Sequence, residues 1–180
     1  TKIGDNKLYW NSATSEANVE TFAANIKNLL EPAGFDGVDL DWEENVDHEG
    51  MLRLTRELRE IWPDAIITIP TGITGHDAPD FAQCRDYVDA FMPMTYIPIR
   101  QWSGWRVPVP LTPLYAFRDE LGENPYSIEY VLNNWEDAGV PSSQIVMGVG
   151  GFGAVWTDTS GNGRVATDPY LSTTTGSPEG

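Results

Sequence analysis

The chain has 180 residues, 41% hydrophobic and 11% aromatic, which is ample for one domain with a real core and excludes general disorder. Its 27 acids against 11 bases give a formal charge of −16, so nucleic acid and anionic membrane, which need clustered Lys and Arg, are not expected partners. Cys84 stands alone and forms no intrachain disulfide, and no apolar run approaches the ~20 residues of a membrane span.

The first fourteen residues show no sustained period and read as a strand end and a loop, with Lys2-Ile3-Gly4-Asp5 as a trace of a strand. From Ser15 the pattern turns helical: Val19, Phe22, Ala23, Ile26, Leu29 and Leu30 fall on one apolar face, and Pro32 and Gly34 end it. Phe35 to Glu44 then alternates carboxylates with large apolar residues, which is the period of a strand with two unlike faces. After a polar loop from Asn45 to Gly50, a helix turns Met51, Leu54, Leu58 and Ile61 inward and Arg53, Arg56, Glu57 and Glu60 to water. Ala65 to Pro70 is a nearly continuous apolar run, as in a parallel strand covered on both faces.

A short helical piece from Asp80 to Tyr87 leads to a strand over Val88–Tyr96, and a long connection rich in Pro, Trp and Arg runs from Ile97 to Tyr126. Ser127 is placed to cap a helix carrying Ile128, Val131, Leu132 and Trp135 on one side, stopped by Gly139 and Pro141. Gln144 to Val149 is the next strand, followed by Gly150-Gly151-Phe152-Gly153. Alternating strands and helices imply an α/β fold with a parallel sheet or barrel over residues 1–156, and residues 157–180 read as a Gly/Ser/Thr-rich tail or an incomplete barrel end.

The chemistry concentrates in the acidic strand. Alternate strand residues lie about 6.6 Å apart on one side, so Asp39, Asp41 and Glu43 would converge on one volume, with Val38, Leu40 and Trp42 turned to the core. A retaining glycosidase needs a protonated acid beside the leaving oxygen and a negative group to stabilise the cation forming at the anomeric carbon. Glu43, nearest the C-terminal strand end where barrel sites open, is the candidate acid. Asp41 and Asp39 stand behind it, placed to share or raise its proton affinity. Leu40 and Trp42, with the loop glycine missing, argue against an EF-hand loop, while a Mg²⁺ site on two of the carboxylates stays open. His48 and His76 read as solvated loop histidines, and Cys84 as a small buried residue. Trp102, Trp105 and Trp156 are either sugar-stacking platforms or loop anchors.

The run Asp36-Gly37-Val38-Asp39-Leu40-Asp41-Trp42-Glu43 resembles the Asp-x-x-Asp-x-Asp-x-Glu signature of glycoside hydrolase family 18, the chitinases and endo-β-N-acetylglucosaminidases. Ala65 to Pro70 is similar to the family's fifth barrel strand, Met94-Thr95-Tyr96 to its Met-x-Tyr on the sixth, and Ile145 to Gly153 to its Gly-rich seventh. The resemblance implies a (β/α)8 TIM-barrel-like fold, present in part, from about the third or fourth strand to the seventh. It also implies substrate-assisted hydrolysis of β-1,4-linked N-acetylglucosamine, in chitin or another glycan, with Glu43 as general acid, Asp41 steadying the acetamido group, Asp39 in support and Tyr96 orienting the substrate. Met94, Trp105 and Trp156 would bind substrate, with no cofactor and no metal, in a secreted protein. Ile97 stands where the family pattern usually has Asp, which keeps a catalytically silent N-acetylglucosamine-binding relative as the alternative. A partial barrel would expose strand edges and so favour self-association.

Overall fold

The computed structural model describes residues 6–43, 45–72, 74–96, 112–119, 122–124 and 127–151. Helix α1 spans Asn6–Ala13, where the sequence reads as strand end and loop. The segment lacks an amphipathic period, and Tyr9 is exposed. Tertiary contacts anchor it instead: Trp10 stacks on Trp42 with centroids 5.0 Å apart and meets the ring of Phe22 edge-on at 6.1 Å. The Lys2–Asp5 trace lies outside the described residues.

Helix α2 (Val19–Leu30) buries Val19 and Ala23 and lays Phe22, Ile26 and Leu30 against the core. Leu29 departs from the expected face and is 72% exposed, because it stands about 100° around the helix from Leu30. A 3₁₀ turn at Glu31–Ala33 follows, and Gly34 takes the left-handed conformation that ends it.

Three parallel strands, β1 (Gly37–Asp39), β2 (Ile66–Thr71) and β3 (Ala90–Pro93), pair in chain order. Residues 145–148 continue the sheet beside β3: Ile145 bridges Phe91 in parallel, Val146 N–H donates to the Phe91 carbonyl at 2.9 Å, and Gly148 N–H to that of Pro93 at 3.0 Å. Helix α3 (His48–Ile61) connects β1 to β2, helix α4 (Ala78–Phe81) with a 3₁₀ turn at Ala82–Cys84 connects β2 to β3, and helix α5 (Ile128–Asp137) precedes the last segment. Ser127 caps α5 as expected, its Oγ accepting from Tyr130 N–H at 3.1 Å. Within the long connection, β4 (Phe117–Asp119) and β5 (Gly122–Asn124) form an antiparallel pair that no sequence pattern announced.

The core lies between one sheet face and the helices. Leu40, Trp42, Ile67, Ile69 and Phe91 from the sheet side meet Met51, Leu54 and Leu58 of α3, Phe81 of α4 and Trp135 of α5, all buried. Each such side chain contributes roughly 1.5–3 kcal/mol. The other face is more open: Ile66 is 54% exposed and Thr68 and Pro70 are half-buried. The expectation that β2 is covered on both faces is therefore corrected. That open face is the one a barrel turns toward its axis.

Two devices fix strand placement. Arg59 of α3 donates to the carbonyls of Tyr87, Pro63 and Ala65 and, at 2.7 Å, to Asp89, whose same oxygen accepts from Ile67 N–H. This ties the starts of β2 and β3 together. Gly37 meets Ile66 so closely that a Cβ there would overlap the Ile66 carbonyl oxygen, so only glycine lets β1 and β2 approach in this register.

Candidate active site

The acidic strand is shorter than its pattern. Regular pairing covers only Gly37–Asp39, followed by a last ladder bond from Leu40 N–H to the Thr68 carbonyl at 2.9 Å. Trp42 N–H then donates to the Leu40 carbonyl at 3.0 Å, a γ-turn centred on Asp41, as strand ends commonly make. The alternation survives this turn. Leu40 and Trp42 are 1% and 2% exposed, while Asp39, Asp41 and Glu43 are all exposed to solvent. All three predicted carboxylates are thus solvent-exposed, with Asp39 in the ladder and Asp41 and Glu43 beyond its C-terminal end.

Asp39 is the one held by the sheet. It lies directly across from Thr68, whose Oγ1 donates to Asp39 Oδ1 at 2.5 Å. Sequence reasoning passed over Thr68; the available signal was a lone hydroxyl at an inner-face position of the otherwise apolar Ala65–Pro70 run.

β3 ends in the same way. Met94 N–H donates to the Thr71 carbonyl at 3.1 Å, and Thr95 N–H to that of Pro93 at 2.9 Å, a second γ-turn, centred on Met94. Met94 and Tyr96 are half-buried, whereas Thr95 is buried and donates to the Gly148 carbonyl at 2.5 Å. Gly148 abuts the ring of Tyr96: a Cβ would stand 2.9 Å from Tyr96 Cε1. Glycine here is what leaves room for that ring. One strand, β2, separates the acidic row from Met94 and Tyr96, a span of about 10 Å at the usual strand spacing. Trp105 and Trp156, with Trp102 and Ile97, lie outside the described residues.

The remaining titratable candidates sit elsewhere. His48 is not a solvated loop residue: it begins α3, packs edge-on against Phe81 at 4.7 Å and approaches Asp80 at 3.9 Å. His76 is exposed and shares a 2.9 Å hydrogen bond with the Tyr130 hydroxyl. Cys84 is buried as expected, and burial pushes its thiol up to about 11.

Parallel strands joined by helices, with acids at the mouth of the sheet, find their counterpart in known sequences. Residues 2–177 match the pattern of the glycosyl hydrolases family 18. The chain belongs to that family. Curated proteins similar to it include Chitinase 63 of Streptomyces plicatus, 27% identical over 91% of this chain and 31% of that protein. Among solved structures, the class V chitinase from Nicotiana tobaccum superposes with a TM-score of 0.72 at 20% identity, over 87% of this chain and 48% of that one. A mutant GH18 chitinase from Cycas revoluta, solved in complex with (GlcNAc)4, gives 0.66 at 18%, over 94% and 52%. The fold is accordingly part of a (β/α)8 barrel, and the chain spans about a third of the curated relative and about half of each solved chain.

Proposed function

We propose that the chain carries the catalytic face of a retaining glycosidase that cleaves β-1,4-linked N-acetylglucosamine in chitin or a related glycan. The observation that carries this reading is the row Asp39, Asp41, Glu43, turned to solvent at the C-terminal end of β1 while Leu40 and Trp42 anchor it from behind. Active sites of parallel barrels are built at that end.

In this reading Glu43, outermost, donates its proton to the bridging oxygen as the glycosidic bond breaks. The acetamido oxygen of the sugar forms the new bond to the anomeric carbon, giving an oxazolinium ion. Asp41 accepts a hydrogen bond from the acetamido N–H and offsets the positive charge, and Asp39 supports Asp41 from within the ladder. Water then opens the ion, its proton passing to the Glu43 carboxylate, so the anomeric configuration is retained. Tyr96 orients the acetamido group and Met94 lines the floor beneath it, with Trp105 and Trp156 as stacking platforms for further sugar units. A chitin-degrading enzyme meets its polymer outside the cell, and secretion is part of the proposal.

Because the acetamido group is the nucleophile, the discriminating experiment compares N-acetylchitooligosaccharides with their de-N-acetylated counterparts. Turnover is expected only with the acetylated series. Equal rates on both would contradict the assignment, and binding of the acetylated series without turnover would identify a lectin-like relative.

A further inference from the structure

Thr68 holds the acidic strand at two adjacent residues, Asp39 and Leu40. Its hydroxyl donates to Asp39 Oδ1 at 2.5 Å, and its carbonyl accepts from the N–H of Leu40, the next residue, at 2.9 Å. The first is an oxygen-to-oxygen bond of the short, charge-assisted class. The second is the last ladder bond before the γ-turn that carries Asp41. One residue therefore pins both the side chain and the backbone at the point where the acidic row leaves the sheet.

The geometry is rigid for reasons of sequence. The register Gly37 to Ile66, Val38 to Ile67, Asp39 to Thr68 leaves no slack, since a one-residue slip would turn the acids into the core. Ile67 and Ile69, on either side of Thr68, are fully buried and fix the backbone that carries it. A β-branched Thr on a strand has few χ1 choices, so its hydroxyl is presented at a set position. Asp39 itself is exposed, and a solvent-facing carboxylate does not need this bond for folding, because water would satisfy the same oxygen.

We propose that Thr68 is a positioning residue for the acidic row. By occupying one oxygen of Asp39 it holds the carboxylate in a single orientation, so that the other oxygen is presented along the open face toward the end of the row. This rests on the reading of Asp39, Asp41 and Glu43 as the catalytic row, and Thr68 acts on that row through its bond to Asp39.

The test compares Thr68→Val, which keeps the shape and removes the hydroxyl, with Thr68→Ser, which restores a donor. Crystal structures of the two variants and the wild type report the Asp39 rotamer whether or not the protein turns over. Kinetics on an N-acetylchitooligosaccharide report kcat and KM separately, and thermal unfolding checks the fold. The expected result is a single Asp39 orientation in wild type and Thr68→Ser, several in Thr68→Val, and melting points within a few degrees of one another. With it goes a fall in kcat on the order of tenfold in Thr68→Val at nearly unchanged KM, rescued by Thr68→Ser, as small misplacements in a reacting set cost. An Asp39 carboxylate that keeps its wild-type orientation in Thr68→Val overturns the proposal. So does a Thr68→Ser variant as impaired as Thr68→Val. If wild type shows no turnover, or Glu43→Gln leaves the rate intact, the functional reading fails, and the Asp39 orientation alone decides the role of Thr68.

Discussion

Trp10 and Trp42 stack face to face, their planes 10° from parallel and their centroids 5.0 Å apart. Trp42 belongs to the segment that presents Glu43, and Trp10 to the helix that opens the described chain. The stack is thus the back wall of the acidic row. Trp10→Ala should cost about 2–4 kcal/mol, combining lost burial with the loss of an aromatic pair. Urea unfolding reads this directly, and a change below about 0.5 kcal/mol would show that the stack does not hold the segment.

Gly37 marks the closest approach of β1 to β2. An added methyl has no space beside the Ile66 carbonyl oxygen, and backbone cannot step aside as a flexible side chain can. Gly37→Ala should therefore destabilise by about 3 kcal/mol or more. Gly34→Ala is the useful contrast, since nothing stands near that Cβ and only the left-handed backbone is strained. Equal effects of the two would refute a steric role for Gly37.

Asp77 supplies a pH dependence. Burial, the largest influence, pushes its carboxyl above the ordinary value; its own backbone N–H and the charge of His48 pull it down, Asp80 pushes it up, and His76 pulls it down again. Its Oδ1 is buried with no hydrogen-bond partner among the described residues. The folded protein keeps a proton on Asp77 that the unfolded chain gives up at lower pH. Its contribution to stability is full below the ordinary aspartate value of about 3.9 and is lost as pH rises through the raised folded value. Asp77→Asn carries no such titration, so its stability relative to wild type should improve between about pH 3.5 and pH 7. Denaturant midpoints at the two pH values give the comparison, and a gap that does not change with pH would contradict it.

Cys84 is 1% exposed, and burial raises its thiol to about 11. The thiolate is the reactive form. Native protein at pH 8 should resist an aromatic disulfide reagent, with one equivalent reacting once denaturant is added. Rapid labelling of the folded protein would place Cys84 at the surface.

Much of this was legible in the sequence because it follows from period and punctuation. The alternation around Asp39 and Asp41 gave the two faces, Ser127 the start of α5, and Gly34 and Gly139 the helix ends, both with positive φ. What escaped depends on partners far along the chain. Helix α1 has no face of its own to read and rests on Trp42. Thr68 gains meaning only through a register that places it opposite Asp39. Gly148 matters because Tyr96 lies against it. The pattern from Phe35 to Glu44 overstated the strand, since the γ-turn at Asp41 preserves alternation while ending the ladder.

The central claim is that Glu43 is the proton donor. Release of a fluorescent aglycone from an N-acetylchitooligosaccharide, wild type beside Glu43→Gln, tests it most directly, with circular dichroism confirming that both are folded. Wild type should turn over and Glu43→Gln should be slower on the order of 10²-fold or more. Equal rates, or folded wild type without turnover, would contradict the account.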